Sequence, residues 1–313
     1  MTRPLRIGTR GSALALWQAN EVRSRLADAG LSSEVVVITT TGDRKAEVPL
    51  AEIGGKGLWI KELEEALDRL EIDLAVHSLK DVPSIEPEQF ALAGFLERAD
   101  PRDAWVQIEG KRIEQLPAGS RIATSAPRRR AQLRERYPSL LMEPIRGNVD
   151  TRLEKLRKHQ YDGAVLAGAG LIRLARQSEI TSFFTIDEMV PAAGQGVIVV
   201  ETRVDDRNAK SAAHSINHPP SALAACSERG VLQKFGTRLD CNSAVAVHAT
   251  FEGGQSTIRA FFGEIDGPRV IRCLHSGSDP EEVMQLVYDS LVRDGALALL
   301  TPRADAAKGA SVE

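Results

Sequence analysis

The chain has 313 residues, of which 42% are hydrophobic and 27% are charged, so its composition is that of a globular protein and excludes disorder for most of its length. Its 40 basic and 43 acidic residues give a formal net charge of −3, and the whole molecule therefore has no electrostatic preference for nucleic acid or an anionic membrane. No apolar run reaches the ~18 residues of a membrane span or the length of a signal-peptide core, so we expect a soluble cytoplasmic protein.

The first hundred residues alternate short apolar runs with helical patterns. We predict strands at residues 5–8, 34–39 and 73–77, and helices at residues 12–29 and about 58–70. Ser12 is a typical N-cap for the first of these helices. The order strand, helix, strand predicts a parallel sheet with helices on its faces.

The same alternation restarts after residue 103. We predict strands at residues 121–124, 140–142 and 163–166, and helices at residues 127–136 and 151–159. This restart predicts a second α/β domain.

Glycine and proline break the pattern at residues 189–196, which indicates a hinge before a strand at residues 197–201. From about residue 219 a helix is followed by alternating stretches at residues 244–251, 258–262 and 270–273. The chain then has a final helix with Asp279 as its N-cap. We therefore predict a third, smaller α+β domain.

Three domains follow from these breaks. The first is discontinuous, with residues 1–98 and 196–217, and it carries a flap at about residues 43–60. The second domain has residues 99–195, and the third has residues 218–313.

The three cysteines, Cys226, Cys241 and Cys273, form an odd number without a close pair, which fits a reducing cytosol. Cys226 lies in a predicted helix and Cys273 in a predicted strand, so we expect both thiols in the core. The histidines are scattered without the spacing of metal ligands, and we expect no metal.

Residues 121–157 carry an excess of basic side chains within a mildly acidic protein, which indicates a specific anionic ligand. Arg128, Arg129, Arg146 and Arg152 lie at predicted strand-to-helix junctions, where free N–H groups and the helix dipole favour anions. Nucleic acid is disfavoured because bases need aromatic partners for stacking and the aromatic content is only 4%.

The stretch AVHSLKDVP at residues 75–83 presents polar groups where a buried strand of a parallel sheet ends, which is where α/β proteins bind ligands. Lys80 and Asp81 together are suited to bind a carboxylate and to stabilise a cation. From the residues alone, a second interpretation stays open: Asp81 caps a turn before Pro83, and Lys80 is solvated.

Eight short motifs follow one another along the chain. They are TRGSALALWQ at 9–18, GGKG at 54–57, AVHSLKDVP at 75–83, DPRDA at 100–104, TSAPRR at 124–129, RGNV at 146–149, TRL at 151–153 and GQG at 194–196. Their residues, order and spacing resemble those of the porphobilinogen deaminase family, also called hydroxymethylbilane synthases. The resemblance covers nearly the whole chain.

The resemblance implies a cytoplasmic transferase that condenses four porphobilinogen molecules head to tail into hydroxymethylbilane with loss of ammonia. It implies two α/β domains like those of periplasmic binding proteins, joined by a hinge, and a smaller α+β third domain. It further implies a dipyrromethane cofactor that is attached through a thioether to Cys241. We expect a monomer that binds this small substrate, with no nucleic-acid or membrane partner.

The family's functional positions carry over residue by residue. Asp81 matches the catalytic aspartate. The positions that resemble cofactor-binding residues are Ser78, Lys80, Thr124, Arg128, Arg129, Arg152 and the attachment residue Cys241. The positions that resemble substrate-binding residues are Arg10, Ser12, Gln18, Lys56, Arg146 and Arg173.

The chain departs from the family mainly around the attachment residue. The glycine-rich cysteine loop that is usual in the family is replaced by Asp240, Cys241, Asn242 and Ser243. This departure leaves a second hypothesis, a non-catalytic two-lobed paralogue that binds a polycarboxylate or tetrapyrrole precursor and has lost cofactor attachment.

Overall fold

The computed structural model describes residues 3–40, 60–240, 242–264 and 267–300. The strands of these residues are β1 Leu5–Thr9, β2 Ser33–Val37, β3 Leu74–Ser78, β4 Phe90–Phe95, β5 Asp103–Val106, β6 Arg121–Ala123, β7 Leu141–Glu143, β8 Gly163–Ala167, β9 Ser182–Phe183, β10 Ile198–Arg203, β11 Ala244–Glu252, β12 Gln255–Gly263 and β13 Val270–Gly277. The α-helices are α1 Ala13–Asp28, α2 Lys61–Asp68, α3 Pro127–Arg136, α4 Val149–Arg157, α5 Gly168–Arg173, α6 Arg207–Ser215, α7 Pro219–Phe235, α8 Pro280–Arg293 and α9 Ala296–Leu299.

Two five-stranded sheets share one pattern of strand directions. The first has the order β2-β1-β3-β10-β4, and the second has the order β7-β6-β8-β5-β9. In each sheet the first three strands are parallel, and the fourth runs antiparallel to both of its neighbours. The chain therefore forms two similar α/β lobes.

The position of β10 in the chain shows how the two lobes are connected. β10 belongs to the first sheet although it follows the whole second sheet in the chain, so the chain passes between the lobes before β5 and again before β10. The predicted hinge at residues 189–196 lies on the second of these passages. The predicted α/β class with two lobes and a hinge is confirmed.

Strand β3 shows how alternation places the site. Leu74 and Val76 pack in the core beneath α1, whereas Ala75 packs with α2 on the opposite face. The alternation directs Ser78 to the α1 side at the end of the strand, where Gln18 Nε2 donates a hydrogen bond to Ser78 Oγ at 2.7 Å.

The third sheet has the antiparallel order β11-β12-β13, and α7 and α8 pack against it. Its core contains Val231, Phe235 and Phe262, and the rings of Phe235 and Phe262 lie 4.8 Å apart. The predicted smaller α+β unit is confirmed.

One prediction about the cysteines is wrong. Cys226 is exposed on α7 rather than buried, while Cys273 is half-buried on β13. The neighbours of Cys226 occupy the buried positions of α7, because Ala224 packs in the core of the third sheet and Ala225 packs with Leu79 of the first lobe. Most of the predicted flap, together with Lys56, lies outside the described residues, and so does Cys241.

Candidate active site

The carboxyl end of β3 leads directly into a short 3-10 turn, Leu79–Asp81. Leu79 is buried, its N–H donates to Val197 O at 3.0 Å, and Val82 N–H closes the turn on Leu79 O at 3.0 Å. Because Leu79 holds the turn against β10, Lys80 and Asp81 are left half-buried at the edge of the first sheet.

The corresponding edge of the second sheet is the junction between β6 and α3. Thr124 is 1% exposed, and its Oγ1 accepts a hydrogen bond from Ala126 N–H at 3.3 Å. Pro127 begins α3, so Arg128 and Arg129 stand in its first turn. Both arginines are buried.

Asp103, the first residue of β5, binds both arginines and is itself 0% exposed. Arg128 Nη1 lies 2.6 Å from Asp103 Oδ2, and Arg129 Nη2 lies 2.6 Å from Asp103 Oδ1. Burial acts to raise the pKa of Asp103, but the charges and hydrogen bonds of the two arginines outweigh it and hold that pKa well below its ordinary value.

The next junction of the second lobe lies between β7 and α4 and contributes two further arginines, Arg146 before the helix and Arg152 within it. Gly147 takes a φ of 104° there, which favours glycine, and Asn148 caps α4 by accepting a hydrogen bond from Thr151 N–H. Arg152 Nε then donates to Gly147 O at 2.8 Å. Burial lowers the pKa of Arg152 to about 10, the charges of Arg129 and Arg146 add to this, and Asp81 opposes it.

The polar groups of both lobes meet at Gln195 Oε1, which accepts hydrogen bonds from Lys80 of the first lobe and Arg128 of the second. Burial lowers the pKa of Lys80 to about 8, and the charges of Arg129 and Arg128 add to it while Asp81 and Asp103 oppose it. We call the charged side chains that meet here, from both lobes, the cationic cluster. Its cations are Lys80, Arg128, Arg129, Arg146 and Arg152, and its carboxylates are Asp81 and Asp103.

Cations outnumber carboxylates in the cationic cluster, and several of its members are buried. Like charges held together in a region of low dielectric favour the binding of an anion with several negative groups. Arginine is well suited to this, because its planar guanidinium donates two hydrogen bonds to one carboxylate. The donor set therefore fits a dipyrrole that bears carboxylate side chains.

Arg173 lies outside the cationic cluster and makes a contact between the lobes. Its Nη2 donates to Gly196 O at 2.7 Å, and its guanidinium stands 5.5 Å from the ring centre of Trp17 on α1. Burial lowers the pKa of Arg173 to about 10.

The remaining substrate-side positions lie near the start of α1. Ser12 is the N-cap of this helix and accepts a hydrogen bond from Ala15 N–H at 3.3 Å, and Arg10 lies half-buried just after β1. The predicted N-cap is thus confirmed, while the binding roles of Arg10 and Ser12 stay predictions.

Two site residues were not predicted, namely Asp103 and Gln195. Asp103 had a detectable signal, because an acidic residue directly precedes the apolar run of Ala104–Val106, which is buried. Gln195 stands in the GQG motif of the hinge, which supported the family resemblance but did not indicate that its side chain contacts the site. Among the described residues, no group of histidine, cysteine or acidic side chains is arranged to hold a metal ion, and no helix could cross a membrane.

Comparison with known proteins decides the family. The family model described as "Porphobilinogen deaminase, dipyromethane cofactor binding domain" matches residues 5–211. The chain belongs to the porphobilinogen deaminase family. The resemblance inferred from the eight motifs is confirmed, and the matched residues include the whole cationic cluster.

Curated relatives match almost the full chain. The porphobilinogen deaminase of Acidithiobacillus ferrooxidans is 41% identical over 302 residues, which are 96% of this chain and 98% of the relative. The enzymes of the same name from Thiobacillus denitrificans and Geobacter sulfurreducens are each 43% identical over 300 residues, or 95% of this chain and 97% and 93% of theirs. The methionine-binding protein MetQ is a distant structural neighbour, with a TM-score of 0.44 and 14% identity over 74% of this chain and 94% of its own, and no ligand follows from that likeness.

Proposed function

We propose that this chain is a hydroxymethylbilane synthase that joins four porphobilinogen molecules head to tail and releases ammonia at each addition. The observation that carries the proposal is the partly exposed carboxylate of Asp81 within a cluster where cations outnumber carboxylates. Each pyrrole carries acetate and propionate side chains, so the cations match the substrate class. The anionic Asp81 matches a reaction that creates positive charge.

Asp81 stabilises the charge that develops on the substrate. When the aminomethyl group leaves as ammonia, the pyrrole becomes electron-poor, and its N–H can donate a hydrogen bond to a nearby carboxylate. The charge of Asp81 acts on the neighbouring Arg129 and Arg152. Asp81 thus acts on the reacting ring, while the cations hold the ring's carboxylates.

The cofactor residues come from both lobes. Lys80 and Ser78 at the end of β3, and Thr124, Arg128, Arg129 and Arg152 in the second lobe, bind the dipyrromethane carboxylates. When bound, this group supplies the free pyrrole carbon to which the first substrate is joined. Arg10, Ser12, Gln18, Lys56, Arg146 and Arg173 bind the incoming substrate.

The third domain holds the cofactor through a thioether to Cys241. The three sheets support a division into residues 1–98 with 196–217, residues 99–195 and residues 218–313, since no sheet shares strands across these boundaries. The protein acts as a cytoplasmic monomer.

The alternative is a paralogue that binds a polycarboxylate without turnover, and no observation favours it. Such a protein would gain nothing from Asp81, because a carboxylate inside the cationic cluster repels an anionic ligand. The 41–43% identity to the porphobilinogen deaminases extends over 95% or more of the chain.

Intact-mass measurement of the denatured protein tests the proposal. We expect the purified chain to carry the added mass of two pyrrole units, and the Cys241→Ser variant to lack it. Cys226→Ser is the matched control, since its thiol is exposed but lies on a helix, and this variant should keep the added mass. An unmodified mass that persists after incubation with porphobilinogen would instead support the binding paralogue.

A further inference from the structure

Gln195 lies on the second passage between the lobes, and its side chain is 1% exposed. Its neighbours Gly194 and Gly196 have φ values of 72° and 88°, which favour glycine. A Cβ on Gly194 would come within 2.6 Å of the Leu79 side chain, so the backbone of the hinge lies directly against the turn that carries Lys80 and Asp81.

The carboxamide of Gln195 makes four polar contacts. Its Oε1 accepts hydrogen bonds from Lys80 Nζ at 3.3 Å and from Arg128 Nη2 at 3.0 Å. Its Nε2 donates to Pro101 O at 2.6 Å and to Asp103 Oδ1 at 3.0 Å. A rotated amide would direct its N–H groups at the two cations, so only one orientation satisfies all four partners.

These contacts join cations from opposite lobes through one neutral group. Lys80 belongs to the first lobe and Arg128 to the second, and Gln195 Oε1 is an acceptor common to both. An amide oxygen orients the two N–H groups but leaves their charges intact, whereas a carboxylate in its place would neutralise them.

We propose that Gln195 is a positioning residue, which holds Lys80 and Arg128 at the spacing that one dipyrrole ligand requires across the two lobes. This inference rests on the proposed function, because it takes Lys80 and Arg128 as ligands of the cofactor carboxylates. Gln195 itself need not touch the cofactor.

The test compares two buried glutamines that are replaced by the nearly isosteric methionine. Gln195→Met removes the shared acceptor. Gln132→Met is the control, because Gln132 is also 1% exposed and its side chain pairs with the backbone of Val190 and with Arg272. The Gln132 carboxamide shares the acceptor Val190 O with Arg128 but forms no hydrogen bond with the side chain of Lys80 or Arg128. The measured quantity is the rate at which the dipyrrole-free fraction of the purified full-length chain gains the mass of two pyrroles from porphobilinogen.

We expect Gln195→Met to slow this gain about tenfold or more, which is the usual effect of losing a hydrogen bond to a charged group. Gln132→Met should gain the mass at the wild-type rate, although both variants lose thermal stability. Equal slowing in both variants would overturn the inference, because it would trace the effect to lost stability alone.

A double-mutant cycle with Lys80→Met separates positioning from a merely structural role. If Gln195 acts through Lys80, then Gln195→Met has a much smaller effect in the Lys80→Met chain than in the wild-type chain. Additive effects would overturn the inference. If Lys80→Met loads the cofactor at the wild-type rate, the proposed role of Lys80 itself is contradicted. If Lys80→Met loads slowly while Gln195→Met loads normally, only the role of Gln195 is contradicted.

Gln195→Glu keeps the test decisive if the methionine variant does not fold. This change keeps the side-chain length and the acceptor oxygen, but it replaces the donor to Pro101 O and Asp103 Oδ1 with a second oxygen, and its charge competes with the ligand for Lys80 and Arg128. We expect loading to be slowed at least tenfold, and loading at the wild-type rate would overturn the inference.

Discussion

Two aspartates within the same cationic cluster have opposite surroundings. Asp103, at the start of β5 in the second lobe, is fully buried and accepts five hydrogen bonds from Arg128, Arg129 and Gln195. Asp81, in the turn after β3 of the first lobe, is only half-buried.

Their different surroundings suit Asp103 to holding the ligand-binding arginines in place and Asp81 to acting on the reacting ring. Asp103 neutralises part of the charge on two arginines and fixes their geometry before any ligand arrives, so little reorganisation is needed when an anion binds. The charge of Asp81 acts on Arg129 and Arg152, yet its partial exposure leaves it able to contact a substrate ring. We therefore propose that Asp103 supports the two arginines and that Asp81 takes part in the chemistry.

The largest expected effect is on stability, when Asp103 is replaced by alanine. Asp103→Ala leaves two buried guanidinium groups without their carboxylate, and breaking a buried ion pair in this way costs about 3–5 kcal/mol. We expect the unfolding temperature to fall by roughly 10 °C, and calorimetry of the purified protein would measure it.

Asp73→Ala is the matched control for that change. Asp73 is also buried beside two arginines, Arg3 and Arg6, but the Arg3 side chain is 62% exposed and the Arg6 side chain is 25% exposed. Water can solvate these arginines after the substitution, so the temperature should fall less. A larger fall for Asp73→Ala would contradict the supporting role that we assign to Asp103.

The second effect is on the reaction, when Asp81 is replaced by alanine. Asp81→Ala removes the charge that stabilises the developing cation, and we expect product formation to fall about 100- to 1000-fold while the cofactor mass remains. Turnover with porphobilinogen and intact mass would be measured on the same sample. An Asp81→Ala protein of normal activity would exclude the proposed mechanism.

Asp187→Ala provides the control for a general loss of acidic charge. The Asp187 side chain is 77% exposed and pairs with Arg259, away from the cationic cluster. This variant should keep both its activity and its cofactor. Parallel losses in the two variants would show that Asp81 acts through net charge rather than at the reacting ring.

Local pattern in the sequence was enough to predict most of the first two sheets and the placement of Lys80, Asp81, Arg128 and Arg129 at strand ends. These features depend on neighbours within a few residues, such as apolar alternation and Pro127 at the start of α3. The family resemblance added the roles of individual residues.

Contacts between distant segments were not predicted. The antiparallel strands β4, β5 and β9 were missed, because their place depends on where the chain passes between the lobes rather than on their own short patterns. The partners of Asp103 are 25 and 26 residues away, and Gln195 is 115 residues from Lys80. No periodicity in the sequence indicates such pairs.

The smallest expected effect is a pH dependence of cofactor loading that is due to Lys80. Burial and the neighbouring arginines lower the pKa of Lys80 to about 8 from its ordinary value of 10.5. Only the protonated amine attracts a carboxylate, so loading is at its full rate below pH 8 and decreases as the pH rises through 8. At pH 9 about one-tenth of the amines remain protonated, and the rate should fall roughly tenfold relative to pH 7.

Lys80→Arg tests whether this decrease belongs to Lys80. A guanidinium stays protonated across this range, so the variant should lose the decrease near pH 8 even if its rate at pH 7 is lower. Other groups that titrate, including the amine of porphobilinogen, are the same in both proteins and cancel in the ratio of their rates. An unchanged decrease in the variant would assign the titration elsewhere and would remove Lys80 from the groups that set this pH dependence. A decrease that vanishes would instead establish that the first lobe contributes a titratable cation to the ligand, whereas the second lobe contributes arginines with a permanent charge.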